Sequence, residues 1–351
     1  MRRRFAAFAA ACRGVSPLYA TLAERTADHE AVTCLLAAAP PRERRASLLF
    51  AAVHYLLLSG TDDPLARFYP SVCKTRANGD PTPAFLDFCR RHADDLRAIL
   101  ATRRAQPNEV QRCAVLLPAF ALAGKRLGTA MVLIDVGASA GLNLFFDRFG
   151  YSYPPYGSVG PKDSSVQLSC RVRGSIRPPL PHAPPAIAHR IGVDERVLDV
   201  ADPDDALWIR ACVWPDRLEA AAQIDGAIAL ARTSPPALVA GHALDVVPQV
   251  VARQPRDVPI CVSTAATLAY LDVMERHELA ASIRRLADDR KLLWITFEGR
   301  RQSPVAGSLG EGDHGTASAG YLGLTDFRRE GGELLARAAM HGNWLKWVGG
   351  S

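Results

Sequence analysis

Near the middle of the chain, residues 137–141 have the types and spacing that most strongly suggest chemistry. Their sequence, GASAG, fits G-x-S-x-G, the pattern around the nucleophile of many serine hydrolases. In that interpretation Ser139 is the nucleophile, and the base is a later histidine such as His242, His314 or His341. The hypothesis also requires an oxyanion donor from an earlier strand–loop connection, and no segment of the HGGG type precedes the motif. The serine hydrolase is therefore an alternative rather than the main hypothesis.

The same stretch also matches the start of a nucleotide-binding α/β unit. The apolar run MVLIDVG is typical of a buried parallel strand and has Asp135 near its end. Small residues follow at alternate positions, namely Gly137, Ser139 and Gly141. They allow a ligand to approach the backbone, and the amide groups of a following helix would point into the same space. A second acidic residue, Asp194, ends the apolar run RIGVD, at the position that binds ribose hydroxyls in doubly wound sheets.

Two further residues lie where they would reach a ligand crevice or border it. Glu298 closes the run KLLWITFEG, where a carboxylate at the crevice mouth would deprotonate an acceptor nucleophile. Tyr153 follows the predicted helix after the glycine motif and is a candidate to line a substrate pocket. Each has an ordinary alternative, because a strand-end Glu is commonly solvated and an aromatic residue commonly lies in the core. His341, in the last predicted hairpin, is interpreted as structural.

The elements that must position these residues divide the chain into two predicted domains. Residues 1–128 show helical apolar spacing without a convincing strand, which predicts a helical N-terminal region. Residues 129–351 alternate strand-like and helical stretches, which predicts an α/β domain. The predicted strands are 131–137, 186–194, 236–241, 259–264 and 291–299, followed by two antiparallel strands joined by a Gly-Gly turn in the tail. We therefore expect a mostly parallel seven-stranded sheet with helices on both faces, interrupted by Gly-, Pro- and Ser-rich stretches at 151–185 and 299–320.

Composition limits the classes of protein to which the chain can belong. Its 351 residues are 48% hydrophobic, which allows a sizeable core, and the net charge is +6. The basic residues are interspersed with acidic ones and accompany no recognisable reader motif, so we do not expect nucleic acid as a partner. The eight Cys residues show no C-x-x-C or zinc spacing, which favours reduced thiols, a cytoplasmic location and no metal. The Arg-rich start carries too short an apolar run for a signal peptide, and no segment approaches the length of a membrane span.

Several longer segments together resemble a known family almost end to end. They are SPLYATLAERTADHE, LLFAAVHYLLLSG, FYPSV, TRRAQPNEVQRC, LIDVGASAGLNLFFDRFGYSY, IGVDERVLDVADPDDALWIRACVWPD and HGNWLKW. With these segments the chain resembles the bacterial domain-of-unknown-function family 2332. The glycine motif also resembles motif I of the Rossmann-type S-adenosylmethionine-dependent methyltransferases, with Ser139 in place of the middle glycine. These resemblances imply a Rossmann methyltransferase-like domain behind a helical N-terminal region.

The family resemblance adds candidate residues and shows two departures. Asn108, Glu109 and Arg112 match a Q-T-N-E-V-x-R segment just before the helix that leads into the first strand. The resemblance implies that Asn108 and Arg112 contact substrate and that Glu109 is a candidate base; a helix cap and a solvated Glu–Arg pair are the ordinary alternative. His242 stands where the family tends to have Asp, at a position that often meets the adenine in methyltransferases. Thr264 lies where the family often has a His-Ser pair.

Together these features predict methyl transfer from S-adenosylmethionine to an unidentified small molecule. The predicted cofactor contacts are Asp135, Gly137, Ser139, Gly141, Asp194 and His242. Glu109 and Glu298 are the candidate catalytic bases. Two alternatives stay open, namely a catalytically inactive methyltransferase-like binding protein, favoured by the departures at His242 and Thr264, and the serine hydrolase. The sequence contains no ligand cluster for a metal and does not indicate the oligomeric state.

Overall fold

The structure is a computed structural model that describes residues 1–305, 319–329 and 331–349. The chain forms two compact units. The first unit contains Met1–Asn108 and Val200–Asp225, and the second contains Glu109–Asp199 and Gly226–Ser351. Most of the loop predicted at 299–320 lies outside the described residues.

Helices make up the regular structure of the first unit within the described residues, as the apolar spacing predicts. In chain order, the α-helices of the molecule are α1 (Arg2–Cys12), α2 (Pro17–Thr26), α3 (Glu30–Ala37), α4 (Ala46–Leu58), α5 (Thr82–Arg91), α6 (Ala93–Thr102), α7 (Cys113–Leu127), α8 (Pro203–Ala211), α9 (Leu218–Thr233), α10 (Ala243–Ala252) and α11 (Val273–Asp288). Aromatic rings form much of the first unit's core. The Phe50 ring lies 4.9 Å from Tyr19 and 5.4 Å from Phe85 between centroids. Such pairs add about 1 kcal/mol each to the stabilisation from burial.

The second unit is built on two sheets within the described residues. Its strands are β1 (Met131–Val136), β2 (Gly150–Ser152), β3 (Ser158–Val159), β4 (Gln167–Ser169), β5 (Arg171–Arg173), β6 (Ile187–Asp194), β7 (Ala237–Ala240), β8 (Ile260–Ala265), β9 (Leu292–Gly299), β10 (Ala319–Asp326), β11 (Gly332–Ala339) and β12 (Trp344–Trp347). The main sheet has the order β5-β12-β11-β10-β9-β8-β1-β6-β7, and the small sheet has the order β3-β2-β4. The five adjacent strands β7, β6, β1, β8 and β9 are parallel to one another. Strands β10, β11 and β12 continue the sheet in antiparallel orientation.

The described main sheet has nine strands, so the prediction of seven was wrong. The five predicted parallel strands are confirmed, each within two residues of its expected bounds. The tail, predicted as two strands, forms three, because a second turn follows β11 and returns the chain as β12. The ninth strand is β5, which pairs in parallel with β12. It comes from the stretch at 151–185, whose many Pro and Gly residues conceal short edge strands.

The boundary of the helical unit also differs from the expected division after residue 128. Helix α7 packs on β9 and β10, so it belongs to the sheet unit although it resembles the preceding helices in sequence. Helix α8 packs against α4 and therefore belongs to the first unit. Apolar periodicity shows that a helix buries one face, but it does not show which neighbour covers that face.

Valine and isoleucine side chains of the parallel strands form the main core of the second unit. Val132, Ile134 and Val136 of β1 are almost fully buried on one face of the sheet. They cluster there with apolar residues of α10 and α11. This packing fixes the central strand, and therefore the loop that follows it. Among the described helices, none combines the length and apolar character needed to span a bilayer.

Candidate functional site

The carboxyl ends of the parallel strands form one edge of the main sheet, with β1 at its centre. Strand β1 has β6 as its neighbour on one side and β8 on the other. The chain passes from β1 to β6 and reaches β8 only later, so the strand order reverses at β1. Ligands of open α/β sheets bind in the crevice at such a reversal. Asp135, Asp194, Ala265 and Glu298 all lie at or next to the ends of these strands.

The turn after β1 has an unusual backbone. Gly137 and Gly141 have φ angles of 83° and 71°, and Ser139 has a φ of 53°. Non-glycine residues rarely adopt positive φ, so Ser139 holds a strained position. The amides of Gly137 and Ala138 donate to the Val193 carbonyl over 2.8 and 3.2 Å. These bonds attach the turn to the end of β6.

The segment after this turn is not the α-helix that the nucleotide-binding hypothesis predicts. Residues Leu142–Arg148 form a 3-10 helix, interrupted by the non-helical backbone of Phe145. This segment packs into the core through aromatic residues, since Phe146 is buried and stacks on Phe120 of α7 with ring centroids 4.2 Å apart. An α-helical N-terminus is therefore absent from this part of the described site.

The chain's own side chains occupy the space that the two glycines provide. A Cβ atom on Gly137 would lie 2.2 Å from Thr267 Oγ1, and one on Gly141 would lie 2.9 Å from Pro236 Cγ. The Thr267 hydroxyl donates to the Val136 carbonyl over 2.9 Å, which fixes it above the turn. Internal packing therefore accounts for both glycines.

Asp194 faces the turn from the neighbouring strand tip. Its Oδ2 accepts from the Ser139 amide and its Oδ1 from the Arg196 amide, both over 2.9 Å. The side chain is half-buried, so it orders the turn and still has accessible surface. This is the strand-end carboxylate that the sequence predicted.

Asp135 is the more buried of the two strand-end aspartates. Its Oδ1 accepts from the Ser263 hydroxyl over 2.7 Å. Burial, and next the charge of Asp194, raise the pKa of Asp135 to about 6, although the Ser263 bond and the Arg112 charge oppose the rise. The carboxyl group of Asp135 therefore titrates close to neutral pH.

Glu298 is fully buried, so it does not lie at the crevice mouth as the sequence suggested. Its Oε1 accepts from the amides of Thr267 and Leu268 over 3.0 and 3.1 Å. Burial raises the pKa of Glu298 to about 7 against these two bonds and the charges of Arg112 and Arg276. The Oε2 atom has no hydrogen-bond partner within the described residues. Glu298 therefore holds the loop that carries Thr267.

Arg112 joins two parts of this edge. Its Nε donates to the Met340 carbonyl over 3.1 Å, and its Nη1 lies 3.5 Å from the Ala265 carbonyl. Its charge also acts on Asp135 and Glu298, lowering the pKa of both carboxyl groups. The turn after β11 and the end of β8 are thus connected by one guanidinium group.

Glu109 pairs with a residue that the sequence suggested only as one possible base of the serine hydrolase. Its Oε2 lies 2.9 Å from Nδ1 of His341, in the turn between β11 and β12. The register places this turn at the carboxyl edge, because Ala339 pairs with Ala319 and Gly320 pairs with Gly299. The interpretation of His341 as only structural therefore misses a Glu–His pair at the site. Its one sequence signal is that both residues fall in family-like segments.

The remaining predicted site residues lie in other surroundings. Tyr153 is fully buried and donates to the Ala114 carbonyl over 2.8 Å, so it is a core residue rather than a pocket wall. Asn108 belongs to the first unit, and its Nδ2 donates to the Gln106 carbonyl over 3.2 Å. It does not cap α7, which begins at Cys113. His242 precedes α10, with its Nε2 3.5 Å from Glu275 Oε1.

His314 lies outside the described residues. Within the described ranges, no group of three or more His, Cys, Asp and Glu residues is arranged to hold a metal ion.

Comparison with known proteins identifies the family. The model of domain-of-unknown-function family 2332, described as an uncharacterized protein conserved in bacteria, matches residues 2–347. The chain belongs to this family. No curated protein and no solved structure matches the chain. The site must therefore be interpreted from its own chemistry.

Proposed function

We propose that this protein transfers a methyl group from S-adenosylmethionine to a small molecule. The observation that carries the proposal is Asp194, a carboxylate at the tip of the strand beside β1 that is bonded to the turn after β1. Rossmann-type methyltransferases place a ribose-binding acid at this position. The parallel order β7-β6-β1-β8-β9, with β1 at the reversal, supports the same assignment.

The residues of the site fit the sugar of such a cofactor at Asp194. They leave less room for the cofactor to approach the glycines of the turn closely. Asp194 accepts hydrogen bonds from two backbone amides and is only half-buried, so ribose hydroxyls can approach the accessible part of its carboxylate. Over Gly137, in contrast, Thr267 already fills the space. A ligand at this turn must therefore lie beside Ser139 or displace Thr267.

The cofactor supplies a methyl group on a positively charged sulfur, and the protein's task is to hold an acceptor in line with it. Asp194 would bind and orient the sugar, with His242 as the predicted adenine contact. Asp135 and Glu298, whose pKa values are raised to about 6 and about 7, are titratable groups at the strand ends that border the proposed site. The eight cysteines, all free thiols, are consistent with the proposed cytoplasmic location.

A thermal-shift measurement with S-adenosylhomocysteine tests the proposal. A ligand present at about a hundred times its Kd stabilises the folded state by about 2.7 kcal/mol, which raises the Tm by several degrees. We expect this shift for the wild type and for the Asp257→Asn control, an exposed substitution in the same unit. We expect it to be absent in Asp194→Ala. No shift in the wild type, or an equal shift in Asp194→Ala, would contradict the proposal. A shift without methyl transfer to any acceptor would favour a non-catalytic binding protein.

One observation favours the serine hydrolase as a second candidate. Ser139 has the positive φ that the nucleophile of a strand-to-turn elbow adopts. The 3-10 helix that follows it, instead of an α-helix, argues against this candidate. Labelling of the wild type by a fluorophosphonate, together with no labelling of Ser139→Ala, would establish it. Absence of labelling in the wild type would exclude it.

A further inference from the structure

The Glu109–His341 pair has the geometry of a proton-transfer dyad. The two side chains are 232 residues apart in sequence, and His341 Nδ1 lies 2.9 Å from Glu109 Oε2. Glu109 is only 8% exposed, whereas 49% of the His341 side-chain surface is accessible. A buried carboxylate thus holds a histidine that can still reach a ligand.

This geometry selects one tautomer of the histidine. A carboxylate only accepts hydrogen bonds, so Nδ1 must donate to Glu109. In the neutral ring the basic lone pair then lies on Nε2. Carboxylates in metal sites and in hydrolases fix the tautomer and the ring orientation of histidines in this way.

Arg112 adds an anion-binding group beside this dyad. Its Nε donates to the carbonyl of Met340, the residue next to His341. Its Nη2 makes no hydrogen bond to the described residues. The group is half-buried, and a guanidinium in such a position favours a carboxylate or phosphate.

We propose that His341, oriented by Glu109, accepts the proton of a hydroxyl- or amino-bearing acid whose anionic group binds Arg112. The assignment deepens the proposed function and rests on it for the identity of the transferred group. The acceptor oxygen or nitrogen forms a bond to the methyl carbon, and the carbon–sulfur bond breaks with both electrons passing to sulfur. The acceptor's proton passes to Nε2 of His341, and solvent removes it afterwards. Glu109 is therefore a positioning residue rather than the base itself.

Acylation by diethyl pyrocarbonate measures the reactivity of His341 without requiring turnover. The full-length protein is treated, and the rate at each histidine is measured by peptide mass spectrometry. His277 on α11, which is exposed, provides an internal reference. We expect Glu109→Gln to slow acylation at His341 by about tenfold relative to His277, which is the order of the loss in affinity or activity when a metal-binding histidine loses its orienting partner. Asp257→Asn should leave this ratio unchanged.

Protection by a ligand tests the proposed class of acceptor. Glycolate and para-hydroxybenzoate serve as the probes, with acetate and benzoate as matched acids that lack the hydroxyl. We expect a hydroxy acid to slow acylation of His341 more than its matched acid does. Protection should be lost in Arg112→Gln, and Arg112→Lys should retain part of it. Circular dichroism of each variant confirms that it is folded.

Each outcome supports or overturns a separate part of the inference. An equal His341 rate in wild type and Glu109→Gln would overturn the dyad. A reactive His341 that neither hydroxy acid protects would overturn the acceptor class. The thermal shift with S-adenosylhomocysteine is measured separately. If that shift is absent while His341 is reactive and protected, the methyl donor is wrong and the proton acceptor stands.

Discussion

Buried titratable groups occur in both units of the chain, and the two units accommodate them differently. In the first unit, the His54 ring lies between the Ala211 carbonyl, 3.0 Å from Nδ1, and the Ser71 hydroxyl, 2.7 Å from Nε2. Both nitrogens are thus bonded, and burial lowers the pKa of His54 to about 4. In the second unit, Glu298 is equally buried, but its Oε2 has no partner among the described residues and its pKa is raised to about 7.

The difference separates a group that maintains packing from a group of the candidate site. His54 is neutral throughout the physiological range and completes its hydrogen bonds within the fold. Glu298 and Asp135 titrate close to neutral pH beside Arg112 at the edge where the strands end. Perturbed groups that cluster in this way are typical of functional sites. Stability measurements on matched variants of the two units test this difference.

The largest effect is expected for Gly137→Ala. The added methyl group would overlap Thr267 Oγ1 and would impose a positive φ on alanine, at a total cost of about 4 kcal/mol. Gly128→Ala is the control, because Gly128 has a similar φ of 79° and nothing within 4 Å of the added atom. It should cost about 1–2 kcal/mol in urea unfolding. An equal loss in the two variants would show that Thr267 does not pack over the turn.

The second-largest effect is expected from His54, which should make the stability of the first unit sensitive to acid. Because the pKa of His54 falls from 6.5 to about 4 on folding, the unfolded chain binds more protons between these values. Stability should therefore decrease as the pH falls from 6.5 to 4, by about 3 kcal/mol. His54→Gln should remove this decrease. Hydrogen exchange at pH 4 and 7, measured on peptides of α4, reports the local stability, and an unchanged difference in the variant would contradict the assignment.

Glu298 should show the opposite dependence on pH. Its pKa is higher in the folded state, about 7 against 4.5, so its proton stabilises the fold at low pH. That contribution is lost as the pH rises through 7, amounting to about 2–3 kcal/mol. Glu298→Gln should therefore be more stable than the wild type at pH 8 and similar to it at pH 4. Exchange of the Thr267 and Leu268 amides checks this, and a variant less stable at pH 8 would contradict it.

The smallest effects are expected at buried hydroxyls. Thr264 Oγ1 has no hydrogen-bond partner within the described chain, so Thr264→Val should be neutral or stabilising by up to about 1 kcal/mol. Thr26 is the matched control in the first unit, because its hydroxyl donates to the Leu22 carbonyl over 2.7 Å. Thr26→Val should cost about 1 kcal/mol. A clear loss of stability in Thr264→Val would indicate that a bound water or ligand satisfies its hydroxyl.

The sequence predicts the parallel strands well because each is a short apolar run that ends at a turn. It misses α10, whose ten residues include Pro248, a residue typical of helix ends. It also misses β12 and β5, whose pairing depends on long-range contacts rather than on local pattern.

The site is predictable only where its residues lie at the end of a strand. Asp135 and Asp194 are placed at the correct edge because each is at or next to the end of an apolar run. The role of Thr267 and the pairing of Glu109 with His341 depend on how distant segments fold together. No local period or spacing contains that information.

The most direct test of the account is the structure of the protein with S-adenosylhomocysteine bound. The account predicts the sugar hydroxyls within hydrogen-bonding distance of Asp194, at the tips of β1 and β6. It also predicts that Thr267 stays over Gly137 with the ligand beside Ser139, or moves away from the turn. A ligand bound elsewhere, or sugar hydroxyls that make no hydrogen bond to Asp194 with ligand present in excess, would contradict it.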